Sequence, residues 1–357
     1  MCPNQRSPLR PHRHSIFCII PQDMLRSIAE KGSATERHAA LETLSLDGTF
    51  RSMRLMAAVT EAATWPSVID QKRRTIYDAQ GTQTLPGKVL RSEGSRPGKD
   101  VAVNEAYDGL GATYDFFAKA YGRDSIDDAG LALNATVHFG AKYNNAFWNG
   151  SQMVFGDGDG KFFNRFTISL DVIGHELVHG VTEDEAGLIY SGQSGALNES
   201  VSDVFGSLVK QYFLKQKAAD ADWLIGAGLL AKTVKGVALR SMKAPGTAYD
   251  DPVLGKDSQP AHMKNYVNTM QDNGGVHINS GIPNHAFYQL AIALGGNAWE
   301  KAGRIWYETL RDPRLRTNAN FTRFAALTRM NAQRLHGATS NEAKLVVDAW
   351  NKVGVKA

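Results

Sequence analysis

The sequence predicts an α+β fold in which a sheet-rich half is followed by a helical half. Three observations predict it. Strand-like runs, punctuated by glycine and proline turns, concentrate between residues 68 and 155. After Asp171 nearly every segment carries helical spacing, as far as Ala349-Trp350. At the junction lies His175-Glu176-Leu177-Val178-His179. Two histidines four apart on a helix stand about 40° apart around its axis and roughly 6 Å apart along it, so both can reach one ion.

The 357 residues suffice for two or three domains, and 43% apolar with 21% charged residues describes an ordinary globular chain. A scattered formal charge of +4 argues against a nucleic-acid partner. Both cysteines, Cys2 and Cys18, lie near the N-terminus, so the body of the chain has no disulfide framework. No apolar run approaches the ~18 residues of a membrane span. Arg6, Arg10 and Arg13 lie among prolines, and Ile16 to Ile20 is shorter than a signal-peptide core. The expectation is a cytoplasmic protein as synthesised, or one secreted by a non-classical route.

Taken in order, residues 1–14 read as a disordered basic arm and residues 15–21 as a short strand ended by Pro21. Residues 22–44 carry two helical stretches broken at Gly32-Ser33, and residues 52–63 read as a link closed by Trp65-Pro66. Strands are expected at 74–78, 88–91, 133–139 and 153–155, with a helix from Val103 to about Tyr121. The alternating Asp-Gly run at 156–160 lacks the later Glu of a calcium loop and reads as a turn.

The junction motif is the H-E-x-x-H arrangement, in which two histidines bind zinc and the glutamate acts as general base on zinc-bound water. The same spacing also fits an amphipathic helix with two surface histidines. A catalytic zinc takes three protein ligands. Downstream, Glu199 and Asp203 lie one helical turn apart, flanked by the apolar Ala196, Leu197 and Val201. Glu199 is placed to be the third ligand, and Asp203 to accept a hydrogen bond from a ligand histidine. A solvated acidic face is the alternative.

Five blocks now carry a resemblance: Asn144-Asn145-Ala146-Phe147-Trp148-Asn149-Gly150, Gly174 to Gly180, Gly187-Leu188-Ile189-Tyr190-Ser191, Asn198 to Asp203, and Asp272 to Gly281. In this order they resemble the thermolysin family of zinc metalloproteases. The resemblance implies a two-lobe peptidase using one catalytic zinc and acting on proteins or peptides. His175, His179 and Glu199 would hold zinc, and Glu176 would move the proton. Tyr190 and His277 would stabilise the oxyanion, Asp272 would orient His277, and Asp203 and Asn198 would support the ligand histidines. Asn145, Ala146 and Arg240 would hold the substrate backbone, while Phe163, Phe166, Val172 and Leu239 would line a pocket for a bulky apolar residue after the cleaved bond.

Two departures stand out. Asp171 and Asp222 match carboxylates of the family's double calcium site, but Lys210, Leu224 and Ala227 stand where further acids would be. The expectation is no calcium there, with Lys210 paired to Asp171 or Asp222. The short N-terminal segment is similar to the propeptide of protealysin-like enzymes, with an imperfect motif around Pro21 and Leu25. It implies an intramolecular inhibitor. The resulting layout is a propeptide and linker at 1–60, ending somewhere in 50–66, a sheet-rich lobe at 67–190, and a helical lobe at 191–357. Cys18 is a candidate fourth zinc ligand, the alternative being a small apolar residue in a strand.

Overall fold

The computed structural model describes residues 17–57 and 70–357. The basic arm at 1–14 and the part of the 50–66 stretch beyond residue 57 lie outside the described residues.

The N-terminal unit begins with strand β1 (Phe17–Cys18) and two helices, α1 (Gln22–Lys31) and α2 (Ala34–Ala57). The break falls at Gly32-Ser33, where the Ser33 N–H donates to Glu36 Oε2 at 2.6 Å, half of a capping box. Helix α2 runs on to Ala57, where the sequence predicts a link from Ser52. Residues 52–57 contain no proline or glycine to stop it, and tertiary contacts hold its second half. Phe50 packs on Phe139 and Phe147 with ring centroids 5.6 and 5.1 Å away, and Asp47 is buried.

Strands β2 (Arg74–Asp78), β3 (Lys88–Ser92), β4 (Leu133–Val137), β5 (Ala146–Trp148) and β6 (Met153–Phe155) form the main sheet with β1, in the order β1-β5-β6-β4-β2-β3. Strand β5 falls within Asn144–Trp148, for which the sequence predicts no strand. It would be the sheet's edge but for β1, which pairs with it antiparallel, Phe17 opposite Trp148 and Cys18 opposite Phe147. Helix α3 (Val101–Tyr121) is capped by Asp100, which accepts from the Val103 N–H, and ends at Gly122 in the left-handed conformation.

Two long helices follow, α4 (Leu170–Glu185) and α5 (Gly192–Leu214). They cross very closely. A Cβ on Gly174 would lie 3.1 Å from Gly206 Cα, and one on Gly206 would lie 2.4 Å from Asp171 O, so only glycine permits this approach. The region between α5 and residue 272 is less helical than the sequence predicts. It contains a small ribbon of β7 (Leu224–Ile225) and β8 (Arg240–Ser241), which positions Arg240. Helices α6 (Asp272–Asn279), α7 (Gly281–Leu294), α8 (Ala302–Leu310), α9 (Phe321–His336) and α10 (Asn341–Lys352) complete the helical half. One continuous apolar core joins both halves and takes in Ile19, Ile20, Met24, Leu25 and Ile28 of the N-terminal unit. Among the described residues no helix is long and apolar enough to cross a membrane.

Candidate active site

The close crossing of α4 and α5 brings His175, His179 and Glu199 together, all fully buried, with one ligand atom of each within 4.8 Å of the others. His175 Nδ1 lies 2.8 Å from Asp203 Oδ1, and His179 Nδ1 lies 2.8 Å from Asn198 Oδ1. Those oxygens can only accept, so each Nδ1 carries the proton and each Nε2 is left with a lone pair. The two Nε2 atoms then face one another at 3.0 Å, and Glu199 Oε2 is buried without a hydrogen-bond partner. Two lone pairs and an orphaned carboxylate oxygen converging in a dry site need a cation, and the two-histidine, one-glutamate set suits zinc. Ser202, which the sequence reading missed, places its Oγ 3.1 Å from His179 Nδ1.

Glu176 projects from the same helix. Its Oε2 accepts from the Trp148 N–H at 3.1 Å, while Oε1 has no hydrogen-bond partner. Burial, then the nearby Glu199, push its carboxyl well above the usual range. Tyr190 donates to Glu199 Oε1 and lies 3.2 Å from His277 Nε2. His277 is reached through a left-handed run at Asp272, Asn273, Gly274 and Gly275 with φ of 51°, 49°, 85° and 76°. That turn lets Asp272 accept from both the His277 N–H (2.8 Å) and the ring Nδ1 (2.6 Å). Burial alone would lower His277, but the Glu199 and Asp272 carboxylates outweigh it and lift it to about 9.

Asp203 is the hub. Besides His175 it accepts Arg240 Nη2 on Oδ1 at 2.8 Å, and Arg240 Nε and Asn284 Nδ2 on Oδ2 at 2.9 and 2.8 Å. Asn284 carried no sequence signal of this role; only the packing of α7 on α5 reveals it. Burial would raise Asp203, and the Arg240 guanidinium overrides this and holds it well below the carboxylate range.

The substrate-binding residues expected from the sequence converge on the N-terminal unit. The Ile19 N–H donates to Ala146 O at 3.2 Å, Arg240 Nη1 to Ile19 O at 3.1 Å, and the Ile20 N–H to Asn145 Oδ1 at 3.1 Å. The Cys18 carbonyl lies 3.0 Å from His277 Nε2. It is the main chain of Cys18 that meets the site. Its thiol is buried, its ionisation pushed up by burial and then by the nearby Asp47, and it is no member of the metal cluster. Phe163, Phe166, Val172 and Leu239 are buried in the same apolar cluster as Ile19 and Ile20. Pro21 leads into α1, and Leu25 is fully buried. Behind the site, Lys210 Nζ lies 2.6 Å from Asp171, 2.9 Å from Asp222 and 2.8 Å from Leu224 O, while Ala227 O accepts from Ser169.

Comparison with known proteins agrees with this geometry. The thermolysin metallopeptidase catalytic-domain profile matches residues 50–183, and its alpha-helical-domain profile matches residues 186–355. The chain is 55% identical over 346 residues to an extracellular metalloprotease of Pectobacterium carotovorum, covering 96% of this chain and 97% of that protein. It is 45% identical over 289 residues to an extracellular minor metalloprotease of Serratia marcescens, covering 79% of each. Its structure superposes on the precursor of protealysin, a metalloproteinase from Serratia proteamaculans, with a TM-score of 0.87 and 57% identity over 95% of this chain and 99% of that one. The extracellular relatives overturn the expectation of a cytoplasmic protein: the N-terminal composition used for that reading says nothing about export routes that need no cleavable apolar signal. Matched along both halves and more than half identical to relatives over nearly its whole length, the chain belongs to the thermolysin family of metallopeptidases, hydrolases that act on peptide bonds.

Proposed function

We propose that this chain is a zinc endopeptidase made as an autoinhibited precursor, acting outside the cell once residues 1 to roughly 60 are removed. The observation that carries the reading is the backbone register of residues 18–20. Every group expected to hold a substrate main chain holds this segment instead, and the Cys18 carbonyl faces His277, where a reacting carbonyl would sit. Burial of Ile19 and Ile20 in the core shared with Phe163, Phe166, Val172 and Leu239 fits a primed-side preference for Leu or Phe.

Zinc, held by His175, His179 and Glu199, would polarise the substrate carbonyl and acidify water. Glu176 takes the proton from the attacking water through its unpartnered oxygen and returns it to the leaving amine. Tyr190 and His277 donate to the developing oxyanion, and Asp272 keeps the His277 ring turned towards it. Arg240 and Asn145 hold the substrate main chain in register.

Incubating the purified precursor and sequencing the new N-terminus tests the reading. Expected are cleavage within 50–66, then casein digestion that phenanthroline abolishes, with peptide-library cuts falling before Leu and Phe. A precursor that stays intact and inert when zinc-loaded overturns it.

The double calcium site is proposed to hold an ammonium instead. Burial would lower Lys210, but Asp171 and Asp222 outweigh it and keep it charged. Three oxygens around Nζ replace the six or more that calcium needs. Adding EGTA should therefore leave Tm unchanged; a fall of 10 °C or more would show that calcium is bound.

A further inference from the structure

The direction of the strand in the cleft decides which of its peptide bonds faces the catalytic groups. Ile19 is held at both ends of its main chain: its N–H donates to Ala146 O at 3.2 Å, and its carbonyl accepts from Arg240 Nη1 at 3.1 Å. The next N–H, that of Ile20, reaches Asn145 Oδ1 at 3.1 Å. The carbonyl immediately before Ile19, that of Cys18, is the one 3.0 Å from His277 Nε2. His277 Nδ1 lies 2.6 Å from the Asp272 carboxylate, so both ring nitrogens face acceptors and Nε2 donates to the Cys18 oxygen. Glu176 stands close enough for its charge to act on Cys18, and its Oε1 has no hydrogen-bond partner. The carbonyl at His277 and the N–H on Ala146 thus belong to one peptide bond. We propose that Cys18–Ile19 is the first bond this precursor hydrolyses, within its own molecule and before the cut in 50–66. This rests on the reading of the chain as an autoinhibited zinc endopeptidase and names the bond at which the inhibition begins to end.

The bond is clamped on both sides. Ahead of it, Phe17 and Cys18 pair antiparallel with Trp148 and Phe147. Behind it, the Ile19 side chain is fully buried in the apolar cluster with Phe163, Phe166, Val172 and Leu239, which suits an apolar residue after the cut. Such fixing makes attack by a bound water effectively unimolecular. The rest of the described N-terminal unit offers no rival. Residues 22–31 and 34–57 are helical, spend their N–H and C=O groups on one another, and so cannot lie extended along Asn145 and Ala146. Nor can the 50–66 stretch of the same chain enter a cleft that residues 18–20 fill. In the reaction, a water oxygen bonds to the Cys18 carbonyl carbon while Glu176 takes one water proton. The C–N bond breaks with its electron pair going to the Ile19 nitrogen, which receives that proton from Glu176 and then the second one from the new carboxyl. One water is consumed, and a Cys18 carboxylate and an Ile19 ammonium are left.

Mass spectrometry and N-terminal sequencing of the zinc-loaded full chain test this. Expected is an N-terminus at Ile19 that appears before any in 50–66, at a first-order rate unchanged by dilution. Glu176→Gln should slow it about 10²–10⁴-fold. Ile19→Pro, which has no N–H to donate to Ala146 O, should abolish this cut, whereas Ile19→Leu should keep it. A cut at Ile19 that speeds up with protein concentration, or that keeps its full rate in Glu176→Gln, overturns the proposal. Processing in 50–66 with no Ile19 terminus preceding it also overturns the proposal and leaves the endopeptidase reading standing. A chain cut nowhere and inert overturns both. Amide exchange in the zinc-free Glu176→Gln chain reads the register without any cleavage: the Ile19 and Ile20 N–H groups should exchange far more slowly than in an unfolded chain. Exchange of both at the unfolded rate would overturn the register and, with it, the autoinhibitor reading.

Discussion

Replacing Glu176 with Gln is expected to lower kcat for peptide cleavage by about 10²–10⁴-fold, the range a positioned general base contributes, while Tm holds or rises. The two halves of that expectation come from different atoms. Oε2 accepts from the Trp148 N–H, a bond the Gln carbonyl can keep. Oε1 is buried without a partner, and the carboxyl is driven up by burial and by Glu199. A charge there would therefore burden the fold, a cost expected of the general base proposed above. Activity against a fluorogenic peptide and thermal melting of the same samples check it. A variant retaining more than a tenth of its activity would mean that another group handles the proton.

Asp203→Ala should be the most damaging single change to the site. The carboxylate accepts four hydrogen bonds, from His175, Arg240 twice and Asn284, which fills its lone pairs. Losing it frees the His175 ring to turn and should cost about 10–100-fold in zinc affinity. It also leaves the Arg240 guanidinium buried without its partner, at about 3–5 kcal/mol of stability. Zinc competition against a chelator and Tm read the two effects separately. Intact zinc affinity would show that His175 is held by packing alone, and an unchanged Tm would show that Arg240 finds another acceptor.

Much of the site is legible in the sequence because its parts are local. His175, Glu176 and His179 share one helical turn or so, and Glu199 and Asp203 share another, so helical spacing alone places each set on one face. The broad order of elements is legible for the same reason: apolar spacing along 74–78, 101–121 and 170–185 matches the elements found. Reading ended where a contact spans the chain. Asn284 meets Asp203 across 81 residues, and Asp47 meets Asn145 across 98. An asparagine on α7 and an aspartate on α2 look like any solvated polar residues until packing buries them.

The strand at Ala146–Trp148 and the length of α2 teach the same lesson from the fold's side. Three residues are too few to show a period of two, and β5 is a strand because β6 and β1 lie on either side of it. Helix α2 continues to Ala57 with its second half braced by Phe139, Phe147, Tyr143 and Asn145, none of them near in sequence. Thus the chemistry of the metal site, a local property of residue type and helical spacing, was determined by the sequence alone. Which segment meets Asn145, Ala146 and Arg240, how Asp203 is shared between His175, Arg240 and Asn284, and which buried carboxyl joins α2 to Tyr143 and Asn145 were decided only by tertiary structure. Each depends on burial and on partners brought together from distant parts of the chain, and one-dimensional spacing encodes neither.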